Sequence, residues 1–230
     1  MLLEQAIEAL KAGRFVLVHD DRGREDEIDM VIAAEHVRPE HVAAMRMDAG
    51  GLLCLAIPGE VAGKLGLAYM HDMIASMGKV NPVFTKLTEG RAAYGDRPSF
   101  SIPVNHRSTF TGITDTDRAL TISEMARVCK SIDRDGVDYF ANNFRAPGHV
   151  PLLIAAKGLL AERRGHTELC VCLLRLAGMV PAVAMCEMMD SATHRALSIA
   201  RAQEYAQRER IPLVEAAELV QAYEKKAKAA

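Results

Sequence analysis

Short runs of consecutive apolar residues alternate along this chain with stretches in which apolar positions recur every three or four residues. The first kind reads as buried strand and the second as helix. An amphipathic helix is predicted over 3–11, stopped by Gly13, and a valine-rich strand over 15–19 follows it. A polar gap separates that strand from a second apolar run at 30–34. Pro39 suits a first helical turn, so a helix is predicted over 40–48, broken by Gly50 and Gly51, with a strand at 52–57 after it. The pattern fades over 69–97, which predicts a long irregular segment of the kind that covers or binds a ligand. Beyond it come a strand at 99–104, assigned by Pro103 to a sheet edge or a bulge, and a helix over 121–132 opened by a capping box from Thr121 to Glu124. A strand at 150–156, a buried helix at 167–177 capped by Thr167, and a strand at 181–187 follow. A helix at 193–209, a strand at 211–214 and a helix at 215–226 close the chain. Repeated switching between the two periods predicts an α+β fold with helices packed on a sheet, and 230 residues fit one domain over 1–230.

Composition narrows the class. Half of the residues are apolar and a quarter charged, and no apolar run approaches the ~18 residues of a membrane span. The first ten residues carry acids at helical spacing and lack the basic start of a signal peptide, so the expected compartment is the cytoplasm. A net charge of -2 with no Trp lacks the basic footprint of a nucleic-acid binder. Five cysteines without a CxxC pair argue against a disulfide framework and against structural zinc.

Four acids and one arginine, Arg24-Glu25-Asp26-Glu27-Ile28-Asp29, fill the gap between the first two predicted strands. Carboxylates this close repel unless cations neutralise them, so the loop reads either as a site for a divalent metal and an arginine-anchored anion, or as a solvated turn. Arg163-Arg164-Gly165-His166-Thr167 precedes a predicted buried helix, where backbone amides and guanidiniums favour an anion such as phosphate; the bland reading is a basic loop. His149 follows the stiff Ala146-Pro147-Gly148 and is a candidate acid or base, although a lone histidine is more often structural. Glu187 ends an apolar strand, either exposed at the sheet edge or held for proton transfer.

Together these motifs are more specific than any one of them. Arg-Glu-Asp-Glu-Ile-Asp at 24–29, Arg-Ala-Pro-Gly-His at 145–149, Arg-Gly-His-Thr-Glu at 164–168 and Cys-Glu at 186–187 resemble, in order, the 3,4-dihydroxy-2-butanone 4-phosphate synthases of riboflavin biosynthesis. Gly-Leu-Leu-Cys-Leu at 51–55 and the 111–118 segment match the same family. The resemblance implies a three-layer α/β/α sandwich around a mixed sheet, and a lyase that converts D-ribulose 5-phosphate to L-3,4-dihydroxy-2-butanone 4-phosphate and formate. It places the metal ligands on Glu25 and His166 and the substrate contacts on Arg24, Glu25, Asp29, Arg163, Arg164, Gly165, His166, Thr167 and Glu187. Catalytic groups fall on Asp29, His149, Glu187, Asp20 and Cys54, the last two lining the site together with Thr114. It further implies Mg²⁺ or Mn²⁺, up to two ions per site, no organic cofactor, and a homodimer with sites near its interface, with neither nucleic acid nor membrane as partner. Ile28 stands where the family often has Gly, Met189-Asp190-Ser191 replaces its Asp-Asp-Gly, and an insertion over 82–98 is closer to archaeal, stand-alone members. Two other readings use the same residues: another metal-dependent phosphosugar isomerase, and a non-catalytic sugar-phosphate sensor.

Overall fold

The computed structural model of the protein describes residues 2–229. In chain order its elements are α1 (Leu2–Lys11), β1 (Val16–His19), β2 (Ile28–Ala33), α2 (Pro39–Ala44), β3 (Cys54–Ile57), α3 (Gly59–Lys64), α4 (Met70–Met77), α5 (Pro82–Leu87), β4 (Phe100–His106) and α6 (Asp115–Lys130). Then follow α7 (Gly136–Asn143), β5 (Phe144–Ile154), α8 (His166–Ala177), β6 (Val183–Glu187), β7 (Met189–Asp190), β8 (Arg195–Ala196), α9 (Ile199–Glu209), β9 (Leu213–Glu215) and α10 (Ala216–Ala229).

Among the described residues seven strands form one sheet in the order β4-β5-β3-β6-β2-β1-β9, with β7 and β8 paired separately. The pairs β1–β9 and β3–β5 are parallel and the others antiparallel, so the sheet is mixed, as expected. Strand residues alternate between two cores: Leu17, Ile28, Met30 and Ile32 meet one, packed with Ile122, Met125 and Ala202 of α6 and α9. Val16, Val18, Val31 and Ala33 meet the other, with Ala6 and Leu10 of α1, Leu169 to Leu174 of α8 and Leu219 of α10. Both faces are covered, which is why these strands read as unbroken apolar runs rather than alternating ones.

The local differences from the sequence reading have identifiable causes. The 69–97 segment holds α4 and α5, short helices with no buried residue, so no apolar stripe announces them; Asn81, whose side chain accepts from the Val83 amide at 3.0 Å, and Pro82 start the second. Helix α6 begins at Asp115 and not at Thr121, because Thr114 takes the cap and accepts from the Asp117 amide at 3.1 Å. Thr121 lies inside it, donating to the Asp117 carbonyl and accepting from the His106 amide. The stretch before 150 contains α7, and β5 starts at Phe144, carrying Pro147 opposite the edge strand β4, where the register shifts beside Pro103. Helix α8 starts one residue before the expected cap: Gly165 is the extended N-cap and Thr167 is buried within the helix. Residues 189–196 form the β7–β8 ribbon, so α9 starts at Ile199 and not at 193. Helix α2 ends early in a wider turn over Met45–Ala49, closed by Gly50 at a φ of 83°.

Candidate active site

Strand β2 begins two residues earlier than the apolar pattern suggests, and this places Asp29 inside the sheet, directly opposite Glu187 of β6. Both lie at the end where the loop between β1 and β2 meets the start of α8. That loop is tied to the sheet by His19, which is buried and bonded to Glu215 of β9 at 2.6 Å and to Asp26 at 3.0 Å. Asp20, also buried, accepts from the amides of Glu25 and Glu27 and from Arg24 at 3.1–3.2 Å, so it holds the loop and orients the guanidinium.

A cleft of about 250 Å³ results, lined by Glu25, Glu27, Asp29, Tyr94, Arg163, His166, Thr167 and Glu187 among others. Nδ1 of His166 lies 3.2 Å from Glu25 Oε2 and its Nε2 lies 3.2 Å from the Glu27 carbonyl, so both ring nitrogens face acceptors, as suits an imidazolium. Burial opposes that charge, but Asp29 and Glu25 outweigh it and raise His166 to about 9. Burial also pushes the Glu25 carboxyl up, yet hydrogen bonds from His166 and Tyr94 and the charge of Arg24 hold it at about 2. Asp29 differs: burial drives its pKa up to about 7, against the pull of His166 and with the push of Glu187, Glu25 and Glu27. Its Oδ1 is buried without a hydrogen-bond partner, 3.9 Å from His166 Nε2. Asp20, Glu25 and His166 each offer a donor atom, all within 4.8 Å of one another. Two hard carboxylate oxygens, one imidazole nitrogen and an orphaned carboxylate oxygen beside them fit a divalent cation.

Glu187 is partly buried, and its Oε2 accepts from the Leu52 amide at 2.7 Å. Gly51 must be glycine here, since a Cβ would come within 2.5 Å of the carbonyl and carboxylate oxygens of Glu187. Cys54 lies fully buried on β3, its thiol pushed well up first by burial and then by Glu187 and Asp29, so it presents a neutral packing group beside the acids.

The arginines divide. Arg24 stacks on the Tyr94 ring, 4.6 Å from its centroid, and pairs with Glu25 at 2.8 Å and with Asp96 at 3.0 Å. Arg163 donates from Nη1 to Glu168 at 2.5 Å, and Glu168 is fully buried. Both guanidiniums crowd Gly165, where any Cβ would collide with them. Arg164 is exposed and turns outward toward Glu224, 3.9 Å away. Because Arg163 is the cation of a buried pair, Arg163→Ala is expected to cost about 3 kcal/mol or more of stability in urea unfolding, besides raising KM. Unchanged stability would mean that Glu168 is held neutral without it.

His149 and Thr114 do not line this cleft. His149 is exposed on β5, its amide donating to Asn105 Oδ1 at 2.7 Å and its Nδ1 accepting from Asn105 Nδ2 at 3.1 Å. The 111–114 loop folds over the same Asn105, whose Nδ2 reaches the Thr111 carbonyl at 3.4 Å, and Phe110 and Ile113 stand exposed beside it. The expected site residues thus fall into two groups within one chain. From the pattern-poor 69–97 segment Tyr94 lines the cleft and Asp96 reaches Arg24 and Arg163 beside it; the sequence did not single them out, and only that segment's loop character pointed there.

The profile of the family described as 3,4-dihydroxy-2-butanone 4-phosphate synthase matches residues 4–222. Relatives bearing that description include one from Methanothermobacter thermautotrophicus, 44% identical over 223 residues covering 97% of this chain and 96% of the relative. Another, from Archaeoglobus fulgidus, is 45% identical over 223 residues, covering 96% and 94%. Among solved structures, a 3,4-dihydroxy-2-butanone 4-phosphate synthase in complex with two magnesium ions superposes with a TM-score of 0.74 at 30% identity, covering 97% of this chain and 96% of that one.

Proposed function

Because this chain belongs to the 3,4-dihydroxy-2-butanone 4-phosphate synthase family, a family of lyases in riboflavin biosynthesis, we propose that it converts D-ribulose 5-phosphate to L-3,4-dihydroxy-2-butanone 4-phosphate and formate. The single observation that carries this reading beyond family membership is the cleft itself, where Asp29, Glu187, Glu25 and His166 converge beneath two arginines. A sensor needs the arginines but not this set of acids and bases.

Glu25 and His166, with Asp20 in reach, would hold Mg²⁺ or Mn²⁺, and the relative with two magnesium ions supports up to two. A divalent cation held there would supply Lewis acidity, lowering the cost of negative charge on neighbouring sugar oxygens. Asp29, with a pKa near neutrality and an unpartnered oxygen, is placed to take a proton from the sugar carbon; Glu187, facing it across β2 and β6, is placed to return one. Arg24, Arg163 and the first amides of α8 suit the phosphate, and Thr167 and Gly165 shape that end. Arg164 contributes only long-range charge. Cys54 packs beneath the acids, and Asp20 holds Arg24 and the loop.

We place His149 and Thr114 in the site of a second copy. Their separation from the cleft, together with exposed Phe110 and Ile113 beside them, supports a homodimer in which each chain completes its partner's centre. One domain over 1–230 carries the activity. Among the described residues no helix is long and apolar enough to cross a membrane, and we place the enzyme in the cytoplasm.

The test is formate. Purified protein with Mg²⁺ and ribulose 5-phosphate is expected to release formate in step with substrate loss, measured by coupled formate oxidation. Conversion to an isomeric pentose phosphate without formate would point to a sugar-phosphate isomerase instead.

A further inference from the structure

The 69–97 segment ends in a turn that sends two polar side chains to the arginines. Amides of Gly95 and Ala92 close it, donating to the carbonyls of Ala92 at 2.8 Å and Asp96 at 3.1 Å. Gly90 and Gly95 take φ of 91° and 87°, left-handed values natural to glycine, so this backbone has pivots at its start and near its tip. Both flanks are anchored away from the cleft: His71 bonds to the Thr88 carbonyl at 3.1 Å, and Arg97 bonds to Asp72 at 2.8 Å while stacking on Tyr69. Between the anchors, Asp96 presents one oxygen to both guanidiniums. Its Oδ2 accepts from Nε and Nη2 of Arg24 at 3.1 and 3.0 Å and lies 3.4 Å from Nε of Arg163, which is buried and has no hydrogen-bond partner. Three guanidinium nitrogens around one anionic oxygen is the arrangement by which arginines hold a phosphate oxygen.

We propose that Asp96 is a latch that sets the affinity for substrate: its carboxylate occupies the place of the substrate's phosphate, and phosphate entry turns the 90–96 loop out from the arginines. This rests on the reading of Arg24 and Arg163 as phosphate-binding groups. Two anions cannot share the same donors without repulsion, so the loop and the phosphate compete. The Asp96 side chain is 34% exposed, so its pairs are partly screened and substrate can displace it. The latch keeps the guanidiniums aligned and paired in the absence of substrate, and apparent affinity falls by the fraction of chains that are open. A residue that merely oriented Arg24 for substrate would act in the opposite sense, because its loss would weaken binding.

The experiment is calorimetric titration of inorganic phosphate into the full chain with Mg²⁺, compared among the parent, Asp96→Asn and Asp96→Glu, with melting curves for each. Asp96→Asn keeps the size and removes the charge, so phosphate is expected to bind roughly five- to tenfold tighter, with KM for ribulose 5-phosphate falling in parallel and kcat not rising with it. Asp96→Glu keeps a carboxylate within reach and is expected to stay near the parent value. Equal or weaker phosphate binding by a normally melting Asp96→Asn overturns the latch. Absence of phosphate binding in parent and variants alike, with KM unmoved by Arg24→Lys and Arg163→Lys, overturns instead the phosphate-binding reading on which the latch depends.

Discussion

Excess EDTA is expected to abolish formate release from ribulose 5-phosphate, and Mg²⁺ to restore it. Glu25, Asp20 and His166 present their donors within 4.8 Å of one another, and the neighbouring Asp29 oxygen has no partner. With the cation removed, the cleft keeps its crowded acids, its arginines and a protonated His166 but loses the Lewis acid that would stabilise negative charge on the sugar oxygens. The restoration carries its own pH signature. In the metal-free chain His166 holds a proton up to about 9, donating toward Glu25 and Glu27, and that proton must leave before the ring nitrogen can act as a ligand. Binding therefore releases a proton, and the Mg²⁺ concentration for half-restoration is expected to fall as pH rises from neutrality toward 9, by up to about tenfold per pH unit. Folding stability of the metal-free chain moves the other way. Asp29 and His166 both have folded-state pKa values above their ordinary ones, so their contribution is full at low pH and is lost as pH rises through about 7 and then about 9. Full turnover in EDTA, with no metal found by elemental analysis, would remove the cation from the reading.

Glu187→Gln is expected to lower kcat by about 10² to 10⁴ while ribulose 5-phosphate still binds, as measured by calorimetry. The amide keeps the size of the side chain, and its oxygen can still accept from the Leu52 amide, so the Gly51–Leu52 backbone and the β6 end should stay in place. What is lost is a carboxylate directly across the sheet from Asp29. That loss also relieves part of the repulsion that raises Asp29, so the alkaline-rising limb of any residual kcat profile is expected to shift toward lower pH. Near-parental turnover would make Glu187 a structural acceptor for Leu52 and move proton transfer to Asp29 and His149.

Much of the architecture could be read from local pattern. The runs at 15–19 and 181–187 became β1 and β6, and helices pack on a sheet as the alternation of periods implied, because period and length report how a segment is buried and do not depend on its partners; the three-layer arrangement on a mixed sheet, which the family resemblance implied, is also the one found. Weak or competing signals produced the misses. Thr121-to-Glu124 has the spacing of a capping box, but Thr114 seven residues earlier captured the helix start, and α4 and α5 bury nothing that would mark a period.

By itself, then, the order and spacing of motifs determined which chemical groups this protein owns and which family it resembles. Only the tertiary structure decided which of those groups meet. Asp29 faces Glu187 because β2 and β6 adjoin in one register, and a slip of one residue would send the carboxylate to the opposite core. His166 meets Glu25 across 141 positions of sequence, Arg163 answers the buried Glu168, and Asp96 closes on Arg24 across 72, while His149 stays outside the cleft on β5. Contacts of that kind depend on sheet order, strand register and the path of loops between elements, and local periodicity carries information about none of the three.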